Sequence, residues 1–407
     1  MTQSSIQSPA PVFDGDLFTD DVLADPYATY AMLRELGPVV WLAAHDIFAV
    51  TRYREARTVL ASPDVFCSGQ GVALNDACNQ QTAGRSLIAT DGDLHSHLRK
   101  ILAHNITPRA IRHLETQIRT QADALISQLV ARGSFDAVED LAKSLPLSIV
   151  PDLVGWPADG RDHLLQWAGA TFNFLGPMND RAFEAVPDVV AMMAFAAEMA
   201  AGGRLMPGGV GAGVVDAAAS GELAPDQVAA LIVGYLAPSL DTTISAMGSA
   251  MWLAATHPGQ WELLRRQPEL IPNAFNEVVR LESPIRIFSR VTTNPTSLGG
   301  ISLAEGARIA VLYGSANRDP LQFPDPDSFT IDRANAGEHL GFGHGVHSCA
   351  GQGLARMETH ALLSAMATSV ARIEITGPAV RSTNNLINGW ERLPVRVVPE
   401  DFSPRNG

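Results

Sequence analysis

A glycine-rich segment with a single cysteine carries the most recognisable chemistry in this chain. It runs from Phe342 to Gly351 and places Cys349 just before apolar residues with helical spacing, from Gln352 to Met366. Glycines let a backbone turn tightly and approach a flat partner, because they carry no Cβ. A cysteine at the start of a helix lies where the helix dipole and free N–H groups favour a thiolate. The pattern therefore indicates a sulfur ligand to iron.

Two other interpretations fit this segment when it is taken alone. A lone cysteine can be an inert buried residue, and Gly-x-Gly before a helix can cradle phosphate. A dinucleotide-binding loop has the spacing Gly-x-Gly-x-x-Gly and lies between a strand and a helix. The segment from Phe342 to Gly351 has neither that spacing nor that position.

The motif as a whole resembles the haem-binding signature of the cytochrome P450 family, and the resemblance extends over residues 20–398. It implies haem b as the cofactor, with Cys349 as the iron ligand and Phe342 packed beside the sulfur. It also implies a mainly α fold with small β-sheets, in which the haem lies between a long central helix and the helix after the cysteine loop. The positions that carry the motif are Phe342, Gly345, His347, Cys349 and Gly351.

The resemblance also assigns four basic side chains to the two haem propionates. They come from three separate regions of the sequence, so only the family pattern brings them together. Guanidinium and imidazolium groups are suitable donors to buried carboxylates. On spacing alone, His95 and Arg99 lie four residues apart on one predicted helix and fit a solvated polar face. The four residues are His95, Arg99, Arg290 and His347.

An acidic residue and a threonine, Asp241 and Thr242, lie in an otherwise apolar helical stretch. A carboxylate there is costly unless it is hydrogen-bonded or functional. In the resembled family this pair relays protons to iron-bound dioxygen. The alternative is a threonine that bonds back to the carbonyl of Pro238, with the aspartate paired elsewhere. The chain departs from the family by having Pro238-Ser239 where Ala-Gly is usual, which predicts a helix kink.

Glu277 and Arg280 are three residues apart on a predicted helix and can form an ion pair. On spacing alone, the pair fits an exposed helix surface, where it contributes only tenths of a kcal/mol. The family resemblance instead implies a structural network with Arg333 that supports the cysteine loop.

The elements that must position these residues are mostly helices, with short strands near both ends of the chain. Residues 1–15 are polar and are predicted to form a disordered tail, followed by a single catalytic domain over residues 16–400. The apolar stretch from Val228 to Ala255 contains Asp241 and Pro238 and lacks flanking basic residues. It is therefore predicted to be a buried central helix and not a membrane span.

Composition excludes several classes of partner. The net charge is −14 over 407 residues, which disfavours nucleic acid and anionic membranes. The three cysteines include no Cys-x-x-Cys, so neither a disulfide framework nor a four-cysteine metal site is expected. A reducing cytoplasm fits this cysteine usage best.

Several stretches are similar to the bacterial members of the family that O-demethylate para-methoxybenzoates. Those enzymes hold the benzoate carboxylate with an Arg-Ser pair, and the matching positions here are Val233 and Gly234. A carboxylated substrate, with Arg85 or Arg286 as its partner, and a neutral small arene both stay open. The resemblance places these residues at the substrate pocket: Arg85, Ser86, Phe172, Phe174, Val233, Ser239, Ile285 and Phe288.

The implied activity is a monooxygenase that hydroxylates or O-demethylates a small aromatic substrate with dioxygen. Two electrons would come from a ferredoxin and an NAD(P)H-dependent ferredoxin reductase, since the chain has no flavin motif or iron–sulfur cysteines. A hydrogen-peroxide-driven peroxygenase and a non-catalytic haem protein are the alternatives. An acidic ferredoxin is expected to dock on a basic patch of Lys100, Arg109, Arg112, His344 and Arg356.

Overall fold

The structure is a computed structural model that describes residues 9–104, 106–107 and 109–400. It confirms the predicted mainly α fold. The α-helices in these residues are α1 (Asp20–Ala24), α2 (Tyr27–Leu36), α3 (Tyr53–Ala61), α4 (Asp76–Thr82), α5 (Gly92–His104), α6 (Glu115–Arg132), α7 (Ser144–Val154), α8 (Leu164–Phe174), α9 (Asp180–Ala201), α10 (Val210–Ala219), α11 (Pro225–Thr256), α12 (Pro258–Arg266), α13 (Ile271–Glu282), α14 (Tyr313–Ala316) and α15 (Gln352–Ser369).

The strands form small sheets. The largest has the order β1-β2-β3-β9-β6-β4, and a second has the order β10-β13-β5. The strands are β1 (Val12–Phe13), β2 (Val39–Leu42), β3 (Ile47–Val50), β4 (Phe66–Cys67), β5 (Ser134–Asp136), β6 (Ile287–Thr292), β7 (Thr296–Leu298), β8 (Ile301–Leu303), β9 (Arg308–Leu312), β10 (Val370–Ile375), β11 (Val380–Arg381), β12 (Trp390–Arg392) and β13 (Pro394–Pro399).

Part of the predicted disordered tail is ordered. Val12 and Phe13 form β1, which runs parallel to β2 and pairs with Trp41 and Leu42. The exposed edge of β2 offers backbone groups that a short strand can satisfy, which polar composition does not reveal. The prediction of disorder is therefore wrong for this strand, and residues 1–8 lie outside the described residues.

Helix α11 is the central element. It spans 32 residues, a length of about 48 Å, and has Pro225 in its first turn. It is the one helix in the described residues that is long and apolar enough to cross a membrane, but most of it is buried inside the protein. Helices α7, α8, α9 and α13 pack against it. The predicted buried central helix is confirmed.

The ion pair between Glu277 and Arg280 lies in the interior. Both side chains are 0% exposed, with Arg280 Nε 2.6 Å from Glu277 Oε2. Arg333 Nε lies 2.9 Å from Glu277 Oε1, and Arg280 also donates to the carbonyls of Asn317 and Pro326. The interpretation as a surface pair is wrong, because the segment after β9 covers this face of α13. The network joins α13 to the chain that leads into the cysteine loop.

We expect Glu277→Gln to lower the free energy of unfolding by about 3–5 kcal/mol, because it leaves Arg280 buried without a counter-charge. Denaturant unfolding of the purified protein measures this loss. Arg119→Gln is the matched control, since Arg119 pairs with Glu115 at 2.9 Å while both side chains are more than half exposed. That change should cost less than about 1 kcal/mol. Equal losses in the two variants would contradict a structural role for the buried network.

Candidate active site

A large cavity separates α11 from the cysteine loop. Its volume is about 1190 Å³, which exceeds the usual range of about 300–1,000 Å³ for a pocket that holds one small ligand. One wall is α11 between Ala230 and Ala246, and the opposite wall is the loop from Gly341 to Gly351. The space lies where the family resemblance predicts haem, between the central helix and the helix after the cysteine.

The cysteine loop is held by its backbone. The N–H of Cys349 donates to the carbonyl of Phe342 at 2.7 Å. Gly343 and Gly345 have φ values of 70° and 72°, and a Cβ on Gly345 would lie 2.6 Å from the carbonyl oxygen of Leu60. These two positions therefore require glycine. Phe342 packs against the aromatic core beside the loop.

Gly351 differs from these two glycines. Its φ is −86°, which any residue adopts, and a Cβ there would lie 4.0 Å from the sulfur of Cys349. The conformation of Gly351 therefore does not explain why glycine occupies this position.

Two opposing influences act on the thiol of Cys349. Burial raises its pKa, and the backbone N–H groups of Gly351 and Gln352 and the charges of Arg99 and Arg356 lower it. Burial is the larger influence, while the N–H groups at the start of α15 favour the thiolate, as the position of the cysteine predicts. A bound metal ion deprotonates a coordinating thiol outright. The site therefore suits a metal ligand better than a free nucleophile.

The structure brings the four predicted propionate donors to one side of the cavity. His95, Arg99, Arg290 and His347 all line it. The rings of His95 and His347 lie 4.1 Å apart, and Nε2 of His347 lies 3.2 Å from Oδ1 of Asp91. The interpretation of His95 as part of a solvated face is wrong, since its side chain is 4% exposed.

This basic cluster has little counter-charge, because Asp91 pairs with His347 and no carboxylate among the described residues forms an ion pair with His95, Arg99 or Arg290. Nε2 of His95 is buried without a partner in the described part of the chain. The pKa of His95 is lowered to about 4 by burial and by the charges of His347 and Arg99. An anionic group bound here would supply both the missing acceptor and the missing charge. The residues present therefore fit a haem with its propionates on this side.

Asp241 and Thr242 face different surroundings, although they are adjacent in the sequence. The hydroxyl of Thr242 lines the cavity and donates to the carbonyl of Pro238 at 2.6 Å. Asp241 is not among the lining residues. Its Oδ2 lies 3.6 Å from where a Cβ on Gly169 of α8 would stand. The alternative interpretation predicted this hydrogen bond from Thr242 to the carbonyl of Pro238, and it is present. Thr242 nevertheless lies at the cavity surface.

Burial raises the pKa of Asp241 to about 7, and the nearby charge of Lys143 opposes that rise. No ion pair within 4 Å reaches Asp241 in the residues that the structure describes. Lys143 itself pairs with Glu139 at 2.5 Å, and the side chain of Glu139 is 69% exposed. Asp241 is therefore neither paired elsewhere nor firmly ionised, and it can hold or release a proton near neutral pH.

All the predicted pocket residues line the cavity: Arg85, Ser86, Phe172, Phe174, Val233, Ser239, Ile285 and Phe288. Arg286 does not, because its guanidinium is buried and donates to the carbonyls of Leu23 and Ile387. It is therefore excluded as a carboxylate partner.

Sequence reasoning missed two features of the cavity. One is an ion pair, with Arg85 Nε 3.5 Å from Oδ2 of Asp226 in the first turn of α11. The other is a wall contributed by α9, which includes Phe183, Val186 and Val190. The spacing of these apolar residues is helical, and it could have revealed the wall.

Comparison with known proteins gives consistent results. A sequence profile of the family described as Cytochrome P450 matches residues 215–368. The Rhodopseudomonas palustris protein Cytochrome p450 CYP199A2 is 39% identical, with 94% of each chain covered. Linalool 8-monooxygenase of Pseudomonas putida is 30% identical, covering 95% of this chain and 98% of that protein. The solved structure of Mycobacterium marinum cytochrome P450 CYP268A2 with pseudoionone has a TM-score of 0.85 at 27% identity, covering 96% of this chain and 100% of that one.

We expect the Asp241 carboxyl to titrate with an apparent pKa of about 7. In pH-difference infrared spectra, the carboxylic acid band present in the wild type and absent from Asp241→Asn should disappear as the pH rises through this value. Lys143→Met should move the midpoint to higher pH, because it removes a positive charge that favours the ionised form.

Arg132→Met is the matched control for this titration. Arg132 pairs with Asp140 at 2.8 Å and is not among the charges that act on Asp241. Its loss should leave the Asp241 midpoint unchanged. A wild-type midpoint near 4, or the same midpoint in Lys143→Met and Arg132→Met, would contradict the assignment.

Proposed function

Because the chain belongs to the cytochrome P450 family of haem-binding monooxygenases, we propose that it oxidises a small, neutral aromatic substrate with dioxygen. The observation that supports this most strongly is the apolar, aromatic cavity wall next to Thr242. The electrons come from a ferredoxin that an NAD(P)H-dependent reductase reduces.

The chain's own residues have distinct parts in this proposal. Cys349 ligates the haem iron, and the basic cluster of His95, Arg99, Arg290 and His347 holds the propionates. Haem with a thiolate ligand supplies the activation of dioxygen. Thr242 presents a hydroxyl at the cavity surface, and Asp241 on the protein side of the helix holds a proton near neutral pH. Together they pass protons to the reaction site.

The distribution of charge favours a neutral substrate. Apart from the basic cluster, the charged side chains that line the cavity are Arg85 and Asp226, which pair with each other. The sixteen residue-to-residue steps of α11 between Asp226 and Thr242 rise about 24 Å. A small arene beside Thr242 cannot reach that pair. Transfer of an unpaired carboxylate into the apolar part of the cavity would be strongly unfavourable.

O-demethylation is the reaction that we propose for methoxylated arenes, as the resemblance to para-methoxybenzoate O-demethylases suggests. Aromatic side chains at Phe172, Phe174 and Phe288 supply flat apolar surfaces to the cavity. These surfaces suit stacking with an aromatic ring. A methyl group placed beside Thr242 would then be the oxidised carbon.

The electron donor is proposed to bind on the cysteine side. Lys100, Arg109 and Arg112 are exposed, and they contrast with the net charge of −14. Arg356 points inward, because its guanidinium lies 5.0 Å from the ring centre of Phe342 and donates to Asn276. It therefore does not belong to the docking surface. An acidic ferredoxin is the complementary partner.

A cytoplasmic location is part of the same proposal. The three cysteines are all unpaired, and Cys67 and Cys78 are buried. Free cysteines are usual in proteins of reducing compartments.

The function is tested with 4-methoxyphenol and 4-methoxybenzoate on the haem-loaded protein. We expect the neutral compound to shift the Soret band and to bind at least about ten-fold more tightly, because the carboxylate finds no partner. With NADH, ferredoxin and reductase, 4-methoxyphenol should yield formaldehyde and hydroquinone. Tighter binding of the benzoate would refute the neutral substrate class.

Two other results would support the alternatives. Peroxide-supported turnover equal to the ferredoxin-supported rate would favour a peroxygenase. NADH consumption without any oxidised product across a panel of neutral arenes would favour a non-catalytic haem protein.

We expect the double variant Arg109→Gln and Arg112→Gln to slow reduction of the haem by ferredoxin about ten-fold at low salt, with the difference shrinking as salt rises. Stopped-flow reduction kinetics measure this. The double variant Arg266→Gln and Arg396→Gln removes the same charge from exposed arginines elsewhere and is the control. Equal rates in both double variants would rule out the proposed docking surface.

A further inference from the structure

Pro238 changes the hydrogen bonding of α11 beside the cavity. In an α-helix the N–H of residue i+4 donates to the carbonyl of residue i. Proline has no N–H, and its ring presses against the carbonyl four residues earlier. Pro238 lies inside α11, so the carbonyl of Gly234 receives no bond from this position.

Gly234 faces the cavity on the same side as the reaction site. Gly234, Pro238 and Thr242 follow one another at four-residue intervals, which places them along one face of the helix. All three line the cavity. Gly234 and Pro238 are exposed there, whereas the neighbouring Val233 and Ala237 are buried. No atom lies within 4 Å of where a Cβ on Gly234 would stand, so a ligand can approach closely.

Two of the hydroxyl groups on this part of α11 serve other acceptors. Thr242 donates to the carbonyl of Pro238 at 2.6 Å, and Ser239 donates to the carbonyl of Tyr235 at 2.6 Å. No side chain among the described residues donates to the carbonyl of Gly234. A ligand group can therefore donate to this carbonyl without displacing a side-chain donor.

The position of the Gly234 carbonyl sets the length of a substrate that can reach both this carbonyl and Thr242. Carbonyl groups of a helix point toward its C-terminus, so a donor that bonds to the oxygen of Gly234 would lie near the level of Pro238. From Pro238 to Thr242 the helix rises about 6 Å. One aromatic ring with substituents at opposite ends spans such a distance. A group on one end of the ring can reach this carbonyl while the other end lies beside Thr242.

We propose that the carbonyl of Gly234 accepts a hydrogen bond from the substrate, which selects neutral arenes with a hydroxyl group opposite the oxidised carbon. This rests on the proposed function and narrows it to phenols. Val233 and Ala237 add apolar surface to the same cavity wall, and a ligand that covers the carbonyl without pairing it removes its hydrogen bond to water. The proline therefore acts as a specificity determinant through a backbone group.

The test compares 4-methoxyphenol with 1,4-dimethoxybenzene, which replaces the hydroxyl by a second methoxy group. Soret-shift titrations of the haem-loaded wild type should show the phenol to bind about five- to ten-fold more tightly. Pro238→Ala supplies an N–H to Gly234, and the ratio of the two dissociation constants should fall to about one. Ser239→Ala is the control and should keep the wild-type ratio.

Three results would overturn the proposal: no preference in the wild type, an unchanged preference in Pro238→Ala, or its loss in Ser239→Ala, which would assign the contact to that hydroxyl. The reduced carbon monoxide spectrum checks that each variant holds haem. Pro238→Ser supplies the same N–H if the alanine variant does not fold. Formaldehyde release from both ligands tests the monooxygenase function separately, since it does not depend on their relative affinity.

Discussion

Helix α11 is apolar on nearly every side, and other elements must therefore cover it along most of its length. Helices α7, α8, α9 and α13 do so, and they form the main hydrophobic core with it. These elements leave α11 uncovered where the cysteine loop lies opposite, across the cavity. The large cavity follows from this arrangement, because neither wall can approach the other while both are held by their own packing.

Electrostatics divides the interior into three settings. Glu277 pairs with both Arg280 and Arg333, and these pairs join α13 to the segment before the cysteine loop. In the basic cluster Asp91 pairs with His347, but no carboxylate of the described residues pairs with His95 or Arg99, which suits the cluster to an anionic group. The cavity wall at Phe172 and Val233 is apolar, so polar ligand groups depend on the few acceptors that the backbone leaves open. Charged groups thus hold the scaffold together and provide the cofactor side of the cavity. The substrate side selects ligands by their shape and hydrogen bonding.

Two adjacent residues of α11 lie on different faces of the helix. Thr242 lies at the cavity surface, whereas Asp241 lies toward α8 and is influenced by Lys143. Adjacent residues in a helix point about 100° apart, so such a pair connects the protein side of the helix to the cavity side. Pro238 removes one N–H donor from the same helix, and in our proposal the carbonyl of Gly234 accepts a hydrogen bond from the substrate instead.

The sequence by itself determined the family, the fold class, the cofactor and the central helix, because the cysteine motif and the apolar length of α11 are local signals. The residues that the resemblance assigns to the substrate pocket all line the cavity. Only the tertiary structure decided which groups are buried and which distant groups come into contact. It buried the pair of Glu277 and Arg280, turned Arg356 inward, and raised the pKa of the Cys349 thiol by enclosing it. It also paired Val12 with β2. Burial and long-range pairing depend on segments far apart in the chain, and no local spacing records them.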